Sequence, residues 1–130
     1  MNPIAAHKWE SRVLVFSATS PTSVGYRRQE QLLARSKKGI KERDLIIYRL
    51  YDDHWLDHQN EALSNDQALA IREAYQIPAG EFQVILIGKD GTVKLRKDDI
   101  VPTREIFALI DSMPMRKSEA KRRSASQEEG

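Results

Sequence analysis

The sequence predicts one α/β domain: a mixed four-stranded sheet in the order β-α-β-α-β-β-α, with helices on both faces. Three observations carry this. The run Val13–Phe16 is continuously apolar rather than alternating, which suits a strand covered on both faces. Each of the first two strands is followed by a helical pattern, so a right-handed crossover makes them parallel. "GKDG" (Gly88–Gly91), between "FQVILI" and "TVKLR", is a hairpin signal that sets the last two strands antiparallel.

The elements follow in order. Arg12–Ser17 is the first strand. A helix is expected from Val24 to Lys38, with Gly39 as its left-handed stop and Lys37 and Lys38 at the negative end of its dipole. "DLIIYRL" (Asp44–Leu50) is the second strand, and "YDDHWLDHQNEAL" (Tyr51–Leu63) a long polar connection. Ser64 and Gln67 have the spacing of a capping box. The helix they open ends near Tyr75 and places Ala68, Ile71, Ala74 and Tyr75 on one face. Pro78 and Gly80 break the chain before the third strand, Phe82–Ile87. Ile106, Leu109, Ile110 and Met113 then follow the i, i+3, i+4, i+7 pattern of an amphipathic helix stopped by Pro114. Residues 1–116 are expected to form the domain, and 117–130 a disordered polar tail. This order is the thioredoxin-like arrangement.

Composition excludes several functions. The 130 residues, 40% of them hydrophobic, suffice for one core without staples. With no cysteine, the chain can make no disulfide, thiol redox centre or thiolate metal site. The net charge of +2 lies wholly in residues 116–130, so the globular part has no net field to attract nucleic acid or a membrane surface. No apolar run is long enough to insert into a membrane. The start, "MNPIAAHKWESR", lacks the basic and apolar regions of a signal peptide. A cytoplasmic location is expected if Met1 is the native start, and a periplasmic or exported one if a leader was removed.

Four motifs carry a family resemblance. "W..RVLVF" (Trp9–Phe16), "KERDLII" (Lys41–Ile47), "LIGKDGTVKLR" (Leu86–Arg96) and "IDSMPMRKSE" (Ile110–Glu119) resemble those of the DUDES-type domain, a thioredoxin-like family of unknown function. The resemblance covers residues 9–119. It implies a fold related to peroxiredoxins, found in bacterial single-domain proteins, often exported, and as modules of secreted animal matrix proteins. It implies no catalytic residues.

In a thioredoxin-like fold the Ser17–Ser23 loop stands where the attacking cysteine would be. There Ser20 or Ser23 is expected to cap the following helix; a serine without an adjacent base does not replace a thiol. Phe82 occupies the place of the proline that precedes the third strand in thioredoxins, so a second hallmark is missing. "HWLDH" sets His54 and His58 four apart among Asp52, Asp53 and Asp57, a metal-like composition. An acidic wet loop is the preferred reading, and neither a metal nor any other cofactor is expected. The basic residues of the first helix read as a solvated face.

The topology gathers "ERD", "GKDG" and "MPMR" at the pole opposite that loop. Arg43, Lys89, Asp90, Met113, Met115 and Arg116 are the candidate site residues. They form either an ionic knot, with Arg43 or Arg116 pairing Asp44, Asp90 or Asp111, or a binding surface to which the methionines lend adaptable apolar contact. Arg116 is expected to be structural and Met115 at least partly exposed. The functional expectation is a redox-inactive domain, monomeric or weakly oligomeric, that acts by binding another protein. The alternative is a non-thiol enzyme or a small-anion-binding module at the former active-site pole.

Overall fold

All six residues of β1 (Arg12–Ser17) are buried, because β1 is the central strand and both its faces are covered. The protein is described by a computed structural model over residues 2–119. A 3-10 turn, Pro3–His7, precedes β1. After it come α1 (Val24–Ala34), α2 (Lys37–Glu42), β2 (Leu45–Leu50), β3 (Trp55–Leu56), α3 (Asn65–Tyr75), β4 (Gln83–Ile87), β5 (Val93–Lys97) and α4 (Thr103–Asp111). The sheet has the order β3-β2-β1-β4-β5. The β1/β2 pair is parallel and the other pairs are antiparallel.

The mixed α/β fold is the expected one, with five strands rather than four. The addition comes from the polar connection. Two of its residues pair with the end of β2, as Arg49 with Leu56 and Leu50 with Trp55. Two cores lie on opposite faces of the sheet. Leu14, Phe16, Leu33, Leu86, Ile106 and Ile110 form one, under α1 and α4. Val13, Val15, Leu50, Ile71, Ile85 and Ile87 form the other, under α3 and the 3-10 turn. Alternate residues of β1 thus serve opposite cores, which is why the strand is apolar throughout.

The local signals at α3 and the hairpin act as expected. Ser64 Oγ accepts from the Gln67 amide at 3.1 Å, and Gln67 Oε1 accepts from the Ser64 amide at 2.9 Å. Gly91 takes φ +83°, and Asp90 accepts from the Thr92 amide at 3.0 Å. Gln29, buried in α1, exchanges two hydrogen bonds with the backbone of Val101, at 2.8 and 2.7 Å. The outer strand β5 is largely exposed and carries Lys94 and Lys97.

Three features differ from expectation, besides one-residue shifts at the starts of β2 and β4. The first helix breaks after Ala34, and the chain restarts as α2 rather than running to Lys38. Gly39 therefore lies inside α2, and it is not among the residues with positive φ. A Cβ there would sit 2.5 Å from the Phe107 ring, so this glycine admits an α4 side chain instead of ending a helix. The first three residues of the tail expected from residue 117 are helical instead. Residues 114–119 are helical and Glu119 is buried, while 120–130 lie outside the described residues.

Gly39→Ala should lower the melting temperature. Alanine favours a helix by about 1 kcal/mol over glycine, but overpacking against Phe107 costs about 1–3 kcal/mol. Phe107→Leu in the same chain should recover part of the loss, and thermal melts of the single and double variants check this.

Candidate binding pole

Arg12 begins β1 yet is only 1% exposed, so its charge needs internal partners. It has them in Glu119, whose two carboxylate oxygens accept from Nη1 and Nη2 at 3.2 and 3.3 Å, and in the Arg43 carbonyl at 2.9 Å. Lys89, from the hairpin and nearly as buried, donates to Glu119 at 2.7 Å and to Asp44 at 2.9 Å. The strand head and the hairpin therefore meet at one carboxylate of the terminal helical stretch, and the "ERD" turn joins them through the Arg43 carbonyl and Asp44. Burial opposes the charge on Glu119, but the hydrogen bonds from Lys89 and Arg12 outweigh it and hold its pKa below the ordinary value.

A second cluster flanks the first. Arg43 grips both oxygens of Asp111 at 3.0 and 2.8 Å and lies over the Phe107 ring at 4.0 Å. Arg116 donates to Asp111 at 3.2 Å and to the Glu42 carbonyl at 3.1 Å. Hydrogen bonds from Arg43 and then Arg116 depress the Asp111 pKa against a burial effect of opposite sign. Asp90, at the exposed hairpin tip, is held at about 2 by Lys94 and by the amide and hydroxyl of Thr92.

Arg43, Lys89 and Arg116 thus belong to a knot in which Lys89 and Arg116 are 7% and 9% exposed, and Arg116 has Asp111 as its acidic partner. Met115 is 39% exposed. Beside the knot, Trp9, Met113, Pro114 and Met115 line a cleft of about 330 Å³ whose floor includes Arg12 and Lys89. Trp9 is 59% exposed and has φ +72°, a left-handed conformation that tryptophan rarely adopts. Its amide donates to the Lys89 carbonyl at 2.6 Å, and the Lys8 ammonium lies 5.3 Å from its ring centre. The candidate residues named from sequence do not include Arg12, Trp9 or Glu119. The usable signal was a charged residue heading an otherwise apolar strand.

The opposite pole is closed by its own chain. Thr19 and Ser23 hydroxyls lie 2.7 Å apart, Ser20 and Thr22 hydroxyls 2.9 Å apart, and Ser23 Oγ accepts from the Ser20 amide. Ser23 occupies the N-cap of α1 without a side-chain capping bond, contrary to expectation, because its hydroxyl is engaged within the loop. Arg72 reaches in from α3, donating to Ser17 Oγ and the Pro78 carbonyl at 3.1 Å each and to the Tyr51 carbonyl at 3.3 Å. His54 and His58 do not converge, because their segment is a short strand and turn rather than a helix. His54 bonds Asp53 at 2.6 Å, whereas His58 stacks on Tyr48 and meets His7. Among the described residues, no three His, Asp or Glu side chains group as a metal site.

The ion-pair geometry fixes an acid response. A carboxylate with a lowered folded pKa stabilises above its unfolded value, and that stability is lost as pH falls through the folded value. The chain should therefore lose stability below about pH 4.5, the ordinary value for Glu119. Glu119→Gln should be destabilised at neutral pH by up to about 3–5 kcal/mol, because it leaves Arg12 and Lys89 short of a buried partner. Its stability should also fall less steeply in acid. Denaturant unfolding between pH 3 and 7 measures both (about four units across the titration).

Comparison with known proteins places this geometry. The model of the domain of unknown function DUF4174 matches residues 3–119. The chain is 26% identical over 134 residues to coiled-coil domain-containing protein 80 of Danio rerio, covering 91% of this chain and 16% of that protein. It is 27% identical over 111 residues to the Sushi repeat-containing protein SRPX of Rattus norvegicus, covering 83% of this chain and 24% of that protein. It thus spans a minor part of the length of these curated relatives. Among solved structures it is similar to the reduced 2-Cys peroxiredoxin of Plasmodium vivax, with a TM-score of 0.62 and 12% identity over 88% of this chain and 84% of that one. That likeness shows a thioredoxin-type fold and no more. By the match across nearly its whole described length, the chain belongs to the DUF4174 family, a domain of unknown function.

Proposed function

We propose that this chain is a DUDES-type domain that has left thiol chemistry behind and acts by binding another protein at the knotted pole. The single observation that carries this reading is the cleft beside the knot. Two apolar side chains, Trp9 and Met115, stand exposed over a floor whose charges are internally paired. A rigid floor with adaptable apolar walls suits the insertion of an apolar side chain from a partner. The candidates Arg43, Lys89 and Arg116 shape this surface, whereas Met113, Met115 and Trp9 make the contact, with Asp90 and Lys94 at the rim. The enzyme alternative has less support, since the two histidines diverge and the loop hydroxyls bond one another.

Two experiments test the reading. Trp9→Ala combined with Met115→Ala should leave the melting curve nearly unchanged and abolish retention of a partner protein from native cells, confirmed by titrating that partner once purified. Equal retention by both forms would count against the pole. Separately, the purified chain should neither consume hydrogen peroxide nor reduce insulin disulfides, as no cysteine is present. Catalytic turnover in either assay would overturn the loss of redox function.

A further inference from the structure

The outer edge of β2 is paired along only part of its length. The Asp44 and Leu50 carbonyls accept from β1 and the residue after it, through the amides of Arg12 and Ala18, both inside the sheet. Even-numbered residues of this strand therefore turn their backbone groups toward β1, and odd-numbered ones turn outward. Tyr51 donates outward to the His54 carbonyl, and Arg49 faces Leu56. There β3 ends, because a turn at Asp57–Asn60 takes the chain away. Leu45 and Ile47 also face outward, and among the described residues no strand pairs with them on that side.

A groove of about 400 Å³ runs beside this edge under α1 and α2. Leu33, Ala34, Ile40 and Ile47 give it an apolar lining, and Lys37 and Lys41 stand exposed on its rim. Glu30 also lines it but is engaged by Arg49 at 3.0 Å and by the Tyr26 hydroxyl at 2.9 Å. Neither Lys37 nor Lys41 has a carboxylate at ion-pair distance among the described residues. The groove therefore presents unmatched positive charge next to unpaired backbone groups.

We infer that the Leu45–Ile47 edge of β2 is a second protein-binding surface, which takes an extended acidic peptide from a partner by β-strand addition, in line with β3. The free N–H and C=O groups of Leu45 and Ile47 bind the peptide backbone. Alternate apolar side chains enter the groove, and neighbouring carboxylates meet Lys37 and Lys41. A second copy of this chain is the poorer occupant, because edge-to-edge pairing sets two lysine rims on the same sheet face.

The test uses the full chain and two blocked peptides of about five residues, one alternating glutamate with valine and the other lysine with valine. Amide hydrogen exchange by NMR reads the edge directly. In dilute protein the Leu45 and Ile47 amides should exchange faster than those of Ile46 and Tyr48, which face β1, although Leu45 as a whole is 5% exposed. The glutamate peptide at millimolar concentration should slow both about tenfold, and the lysine peptide should not. Lys37→Glu with Lys41→Glu, both at exposed positions, should invert that preference. Trp9→Ala with Met115→Ala should leave it unchanged, which separates this surface from the knotted pole. Leu45 and Ile47 amides already as protected in dilute protein as those of Ile46 and Tyr48, no slowing by the glutamate peptide, or equal slowing by both peptides would overturn the inference. Protection that grows with protein concentration alone would also overturn it, by assigning the edge to a second copy.

Discussion

A guanidinium buried at the head of the central strand is the constraint around which one whole end of this domain is arranged. Arg12 cannot keep its hydration in a site 1% exposed, and an isolated charge there is not tolerable. Its two terminal nitrogens are matched from distant parts of the chain by the carboxylate of Glu119 and the carbonyl of Arg43, Lys89 shares that carboxylate, and the Arg12 Nε has no hydrogen-bond partner among the described residues. The terminal helical stretch is thereby an integral part of the fold. The same requirement explains why three short motifs, far apart in sequence, converge on one pole. Apolar replacement of such a cluster is often no less stable, so its retention here is better understood as fixing register. It sets where the hairpin, the "ERD" turn and the last helix meet.

What was legible in the sequence was whatever local chemistry decides. The central strand shows in an unbroken apolar run, α3 in its capping box, and the hairpin in a glycine that must take positive φ. The convergence of the motifs followed from topology. What was hidden depended on tertiary neighbours. Gly39 has the composition of a helix stop, but the Phe107 ring decides its use. The two-residue β3 exists only because β2 offers an edge to it. Glu119 sits in a segment rich in Lys, Ser and Glu that reads as solvated tail, and nothing near it in sequence announces that Arg12 is waiting. Trp9 was visible as a motif residue, but its left-handed backbone and exposure were not.

The two poles differ in how they use polarity. At the Ser17–Ser23 end, hydroxyls bond hydroxyls and Arg72 binds carbonyls, so the polar groups are satisfied within the chain. At the other end charges are also internally matched, but apolar surface is left uncovered beside them. Exposed tryptophan and methionine over a matched ionic floor is a different allocation of polarity from that of an acid–base site, where titratable groups face the ligand.

The sheet's two margins are unlike, and this bears on how the domain can assemble. Strand β5 is short and exposed and carries Lys94 and Lys97, charges that discourage another strand from pairing there. The margin at β2 is partly open and apolar. A molecule with one receptive margin and one guarded margin can be capped by a single visiting strand, yet it has no reciprocal surface on which to continue. Joining copies of the domain in series would require the open margin of one to meet the lysine-bearing margin of the next, a pairing that their unlike edges disfavour.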